Sequence, residues 1–213
     1  NNSNRLMVVF ATQSELSKST LLSSNNNCIL PNINSDLFID KNINESRKFD
    51  LIYVGRFSPE KGIDRLENIL KLINKNPVIS ICVVFDSISP IDFKILKSKY
   101  KSLNIHWHVG VANDEVHKMM RSSKYLFFPS YVENYGNVLV EAVSQGAIPI
   151  VYPDTHWRAL LGKYAIDEIT IFKMIEAGKV MWNKDLSINS RKFIFDNYVK
   201  NDSLNTIFNW IEK

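Results

Sequence analysis

The sequence predicts an α/β protein built on a doubly wound parallel sheet of the Rossmann-like type, and three observations predict it. Short apolar runs alternate with stretches of helical spacing from residue 51 to residue 151. The run at 78–85 is apolar almost throughout, as a strand covered on both faces requires. Two strand ends fall on glycine, at Gly55 and Gly110, where an open sheet turns toward its ligand crevice. Strands separated by helices in this order form βαβ units with right-handed crossovers.

The elements follow in order. Residues 51–54 form a first strand that ends at Gly55. Ile63, Leu66, Ile69, Leu70 and Ile73 fall on one face of a helix that starts at Gly62. Residues 78–85 are the second strand, 91–100 a helix, and 105–109 a third strand that stops at Gly110. Asn113 or Asp114 caps a short helix to residue 120. A fourth strand at 125–128, a helix at 137–144 and a fifth strand at 148–151 complete the series. Beyond it the pattern predicts a short helix at 157–161, a weak strand at 169–172, and helices at 189–199 and 203–211. Ahead of it, LMVVF and CILPNI read as short strands around a serine-capped helix, and residues 32–50 have the polar composition of a linker. Three segments result: a lead-in and linker at 1–46, a Rossmann-like domain at 47–186, and C-terminal helices at 187–213.

With 213 residues and 45% hydrophobic content the chain can bury a real core. The net charge is +4, and its lysines and arginines are scattered, so no nucleic-acid surface is expected. Cys28 and Cys82 have neither a metal nor a redox spacing, which fits a reduced, cytoplasmic protein. No run approaches membrane-spanning length, and no signal peptide is visible. The first residue is Asn1 rather than Met, which reads as an excised piece of a longer protein. The histidines form no metal-ligand spacing; His106 and His108 flank Trp107 on a strand and read as sheet-face residues. His156 follows Asp154 after the fifth strand, on the ligand side of the sheet.

Chemistry is expected beyond the carboxyl ends of the strands. The first strand is followed by GRFSPEKG, in which Arg56, Lys61 and backbone N–H groups can converge on a diphosphate, although a charged surface loop would look similar. The third is followed by Gly110-Val111-Ala112, a small-residue turn that lets a flat base approach the backbone; a plain βα turn would also fit. The fourth is followed by a loop with Glu133 and a helix that starts at Gly136-Asn137. The N–H groups around Asn137 and Val138 are offered to an anion. Glu141 lies about one turn into that helix, where its carboxylate can accept from a vicinal diol such as a ribose. Two carboxylates also raise a glycosidase, but that chemistry has no evident use for the neighbouring cations and helix terminus.

These segments together resemble the retaining glycosyltransferases of the GT-B fold, the family called glycosyl transferases group 1. The resemblance is carried by YVGRFSPEKGID at 53–64, HVGVANDEV at 108–116 and FPSYVENYGNVLVEAVSQGAIPIV at 128–151. The last contains an E-x(7)-E signature, Glu133 to Glu141, and it follows a G-R-x-x-x-x-K-G loop in the right order. The resemblance implies the donor-binding C-terminal half of a two-domain enzyme, with an N-terminal domain supplying most of the acceptor site and the C-terminal helices packing back on it. It implies that Arg56 and Lys61 hold a nucleotide sugar's diphosphate, that Glu133 meets the sugar ring and Glu141 the ribose. Backbone at Gly55, Gly136, Asn137 and Val138 would line the phosphates and sugar, and Gly110-Val111 would meet the base. A hexose-type sugar would pass to a glycan or lipid-linked acceptor with retained configuration and without an obligatory metal or other cofactor. Peripheral association of the full-length protein with the inner face of a membrane is a further expectation. A nucleotide-sugar-binding module inactive on its own is the alternative. One departure stands out: the loop after the fifth strand is YPDTHWRALLG, where the family has small residues and Trp157 and Arg158 are bulky.

Overall fold

The computed structural model describes residues 46–133 and 135–199, together with two short strands, β1 (Val8–Phe10) and β2 (Asn27–Ile29), which pair in parallel. The expected helix at 203–211 and most of the lead-in lie outside the described residues.

The main sheet has five strands: β3 (Phe49–Gly55), β4 (Ile81–Phe85), β5 (Ile105–Val109), β6 (Ser123–Phe128) and β7 (Ile148–Val151). All pair in parallel, in the spatial order β5-β4-β3-β6-β7. The order reverses between β3 and β6. That reversal opens a crevice at their carboxyl ends, because the connections leaving the two strands run to opposite faces.

Each strand side is covered. Leu51, Tyr53, Val83, Phe85, Tyr125 and Phe127 face α1 (Ile63–Ile73), α2 (Pro90–Lys99) and α6 (Glu168–Glu176). Ile52, Cys82, Val84, Leu126 and Phe128 face α3 (Asn113–Arg121), α4 (Asn137–Ser144) and α7 (Lys184–Ile194). The short α5 (His156–Leu161) buries Trp157 and Leu161 in the second layer. Leu66, Ile69, Leu70 and Ile73 of α1 are buried, as their spacing predicts. Each such side chain stabilises the fold by roughly 1.5–3 kcal/mol before the entropy of ordering it is set against that. Cys82 is fully buried, and burial pushes its thiol up to about 12, so it acts as a small core residue.

Two expectations are corrected. The weak strand at 169–172 is instead part of helix α6. The Asp167 carboxylate caps it by accepting from the Thr170 N–H at 2.8 Å, and Ile171 and Ile175, one turn apart, are buried. The second strand begins at Ile81, not at residue 78, because Val78 is exposed in a turn closed by Ile79 N–H donating to the Asn76 carbonyl. Helix α7 runs across residue 187, the expected start of the C-terminal segment. It is held to the sheet domain by Ser187 donating to the Gly146 carbonyl and Ser190 to that of Tyr164, both at 2.6 Å.

Candidate functional site

The loops leaving β3 and β6 meet over the crevice and are joined there by backbone. The Tyr131 N–H donates to the Glu60 carbonyl at 2.9 Å. Gly62, with φ +69°, lies so close to the β6 loop that an added Cβ would sit 2.3 Å from the Pro129 oxygen. Only glycine combines that left-handed conformation with that approach. Beneath the first loop the Tyr53 hydroxyl lies 3.3 Å from the carbonyls of both Arg56 and Lys61, and it donates to one at a time. Burial, with Glu133 and Glu60 nearby, pushes that hydroxyl's pKa far up, so it remains a donor.

Here the structure brings together two of the sequence-predicted residues, separated by 72 positions. Lys61 Nζ lies 2.6 Å from Glu133 Oε1, and the two side chains are 20% and 14% exposed. Gly136 caps α4 in the left-handed conformation, φ 77°, and has no side chain with which to satisfy the first N–H groups of the helix. The N–H groups of Asn137 and Val138 and the positive end of the helix dipole therefore lie at the start of α4, just after the β6 loop. Trp157 packs directly on Gly136: a Cβ there would lie 2.6 Å from its Nε1. The bulky residue that marks the departure after β7 is therefore the wall that fixes this helix start.

Other predicted residues make contacts of their own. Arg56 is more than half exposed and contacts Glu60 at 3.3 Å. Gly55 ends β3, where an added Cβ would sit 3.0 Å from the Tyr53 hydroxyl oxygen. Gly110 is left-handed, φ 61°, and opens the turn that carries Val111 into α3. Glu141 faces α3 rather than Glu133, with its Oε2 3.7 Å from His117 Nε2. His106 and His108 share one sheet face opposite Cys82 and Val84, as expected, and His106 sits edge-on to Phe49 at 5.0 Å. Among the described residues no group of three or more His, Cys, Asp or Glu is placed to hold a metal ion. No described helix is long and apolar enough to cross a membrane.

Sequence reasoning missed a set of residues that tie the site together. Arg65 of α1 donates to Asp154 Oδ2 at 2.5 Å and to the Pro129 carbonyl at 3.2 Å. Its guanidinium lies 3.7 Å from the Tyr131 ring centroid and 4.1 Å from that of Tyr152. One side chain thus links a helix to the loops after β6 and β7. Its partners are 64 and 89 residues away, and the one available signal was that Asp154 follows a strand end.

Burial raises the Glu141 carboxyl above its ordinary range, and His117 opposes part of that rise. A raised carboxyl favours the protonated fold. Its contribution is therefore complete below the unfolded pKa and is lost as pH climbs through the raised value. Glu141→Gln removes that dependence. The variant is expected to melt at or above the wild type near neutral pH and to gain less stability on mild acidification, as thermal unfolding between about pH 4 and 7 will report.

A five-stranded parallel sheet with its loops joined at the topological switch defines a Rossmann-like α/β domain. Residues 34–165 match the glycosyl transferases group 1 family, and the chain belongs to that family. An uncharacterized 41.2 kDa protein in the cps region of Klebsiella pneumoniae is 26% identical over 174 residues, covering 76% of this chain and 46% of the relative. A mutant TarM of S. aureus, solved with UDP, alpha-GlcNAc-glycerol and fondaparinux, superposes with a TM-score of 0.68 at 15% identity over 95% of this chain and 43% of TarM. WaaG, a glycosyltransferase involved in lipopolysaccharide biosynthesis, gives 0.65 at 20% identity over 93% of this chain and 60% of WaaG. The chain thus spans about half the length of the proteins it matches.

Proposed function

We propose that this chain is the donor-binding domain of a retaining glycosyltransferase that moves a hexose-type sugar from a nucleoside diphosphate to a glycan or lipid-linked acceptor. The observation that carries the proposal is the Lys61–Glu133 contact at the switch point, beside the open N-terminus of α4. Family membership and TarM's complex with UDP support it. The diphosphate lies against Lys61 and the N–H groups of Asn137 and Val138. Arg56, held at 3.3 Å by an exposed Glu60, turns from it to the phosphate. Charge that builds on the leaving diphosphate meets Lys61 and a helix dipole already in place, and Arg56 as it swings in, so the reading needs no metal. Glu133 accepts from a sugar hydroxyl and Glu141 from the ribose. Gly110 and Val111 carry the base, and a partner domain supplies the acceptor at a membrane's cytoplasmic face.

Calorimetry with UDP- and GDP-sugars tests this. Binding is expected for one series and is weakened by Arg56→Ala and Lys61→Ala. Glu141→Gln lowers affinity for the nucleotide itself, whereas Glu133→Gln acts on turnover more than on nucleotide affinity. A wild-type chain that binds neither series, or cation variants that bind unchanged, would remove the proposal.

A further inference from the structure

We infer that Asp154, on the loop after β7, is a second carboxylate that reads the donor's sugar and restricts it to uncharged sugars. The inference rests on the donor-site reading above. A cavity of about 230 Å³ lies between the loops that follow β6 and β7. Ser130 and Glu133 line it from one loop, and Asp154, Thr155 and His156 from the other, with Trp157 completing the wall. Its two carboxylates are anchored in the same way. Lys61 holds Oε1 of Glu133 at 2.6 Å, and Arg65 holds Oδ2 of Asp154 at 2.5 Å, while neither cation lines the cavity.

A carboxylate oxygen held by a cation leaves the second oxygen as an acceptor for another partner. Two such groups on opposite loops match a ring that bears several hydroxyls, each of which can donate. They do not match an anion. A uronate carboxylate has no hydrogen to donate, so it would face these acceptor oxygens unpaired, and a diphosphate would fare no better. That divides the ligand along its length: the phosphates lie on the Lys61 and α4 side, and the sugar turns toward β7. Asp154 is about half exposed, yet its position is set because Arg65 is itself fixed between the rings of Tyr131 and Tyr152 and on the Pro129 carbonyl. The preference therefore depends on Arg65 as a positioning residue.

The test is calorimetry of the chain with UDP, UDP-glucose and UDP-glucuronate, and with GDP, GDP-mannose and GDP-mannuronate, for wild type, Asp154→Asn and Arg65→Lys. Circular dichroism checks that each variant is folded. In the series that binds, wild type is expected to favour the neutral sugar over its uronate by about tenfold, the effect of one charge-assisted contact. Asp154→Asn narrows the ratio to within about threefold while the bare nucleotide, which has no sugar to meet this loop, binds as before. Arg65→Lys keeps the charge, loses the planar fork, and narrows the ratio part of the way. If a nucleotide binds but the wild type does not discriminate, or Asp154→Asn leaves the ratio unchanged, the role of Asp154 is overturned alone. If neither nucleotide series binds, the donor-site reading falls and takes this inference with it.

Discussion

Lys61→Ala is expected to weaken nucleoside diphosphate binding by about ten- to a hundredfold, the loss that follows removal of a charge-assisted contact worth roughly 1.5–3 kcal/mol. Two effects act in the same direction. The ammonium no longer meets the phosphates, and Glu133, which lies 2.6 Å from it and is 14% exposed, loses its counter-charge beside an anionic ligand. Arg56→Ala should cost less, because Arg56 is 59% exposed and its charge is well solvated. Combining Lys61→Ala with Glu133→Gln should recover part of the lost affinity, since the double variant has no unpaired carboxylate at that point. Titration of the wild type and the three variants with one nucleotide decides the matter; equal affinity for wild type and Lys61→Ala would count against any phosphate role for this lysine.

Gly62→Ala is expected to be the most damaging alanine substitution among the described glycines. An L-residue at φ +69° costs about 1–2 kcal/mol before any contact is considered. The new Cβ then meets the Pro129 backbone, 2.3 Å from its oxygen and 2.8 Å from its carbonyl carbon, which cannot rotate away as a side chain would. Together these predict a loss of about 2–4 kcal/mol, seen as a fall in Tm of roughly 5–15 °C. Gly110→Ala is the control: its φ is also positive, 61°, but a Cβ there meets only the Asp86 carbonyl oxygen at 3.8 Å, an ordinary contact. It should show the conformational cost alone, about 1–2 kcal/mol. If the two variants melt together, the approach of the β3 and β6 loops is looser than the structure has it.

Much of the sheet was legible because its signals are local. The glycines that close two of the strands, the 63-66-69-70-73 stripe and the apolar runs report on neighbours within a few residues. The same locality explains the misses. Ile169 to Phe172 has strand-like composition, and the cap that makes it helical is one Asp167 hydrogen bond. That Lys61 and Glu133 belong to one site was an expectation from the resemblance; their direct contact was not foreseen. Arg65 carried no such motif. It looked like any solvated residue on a helix face, and only the sheet order places Tyr131, Tyr152 and Asp154 around it. Trp157 was visible as a departure, but its seat against Gly136 was not.

The position of the crevice between β3 and β6 has a consequence for how the molecule acquires it. β3 can pair with β4 after a short connection, but its other neighbour arrives only after two further helices and a strand have been made. Closing that longer loop carries an entropic cost before any contact offsets it, and pairings of this span slow folding. Lys61 and Glu133 face each other only once it has closed. In refolding, recovery of nucleotide binding should therefore trail recovery of helical signal, and a ligand that bridges the two loops should slow unfolding more than it speeds folding.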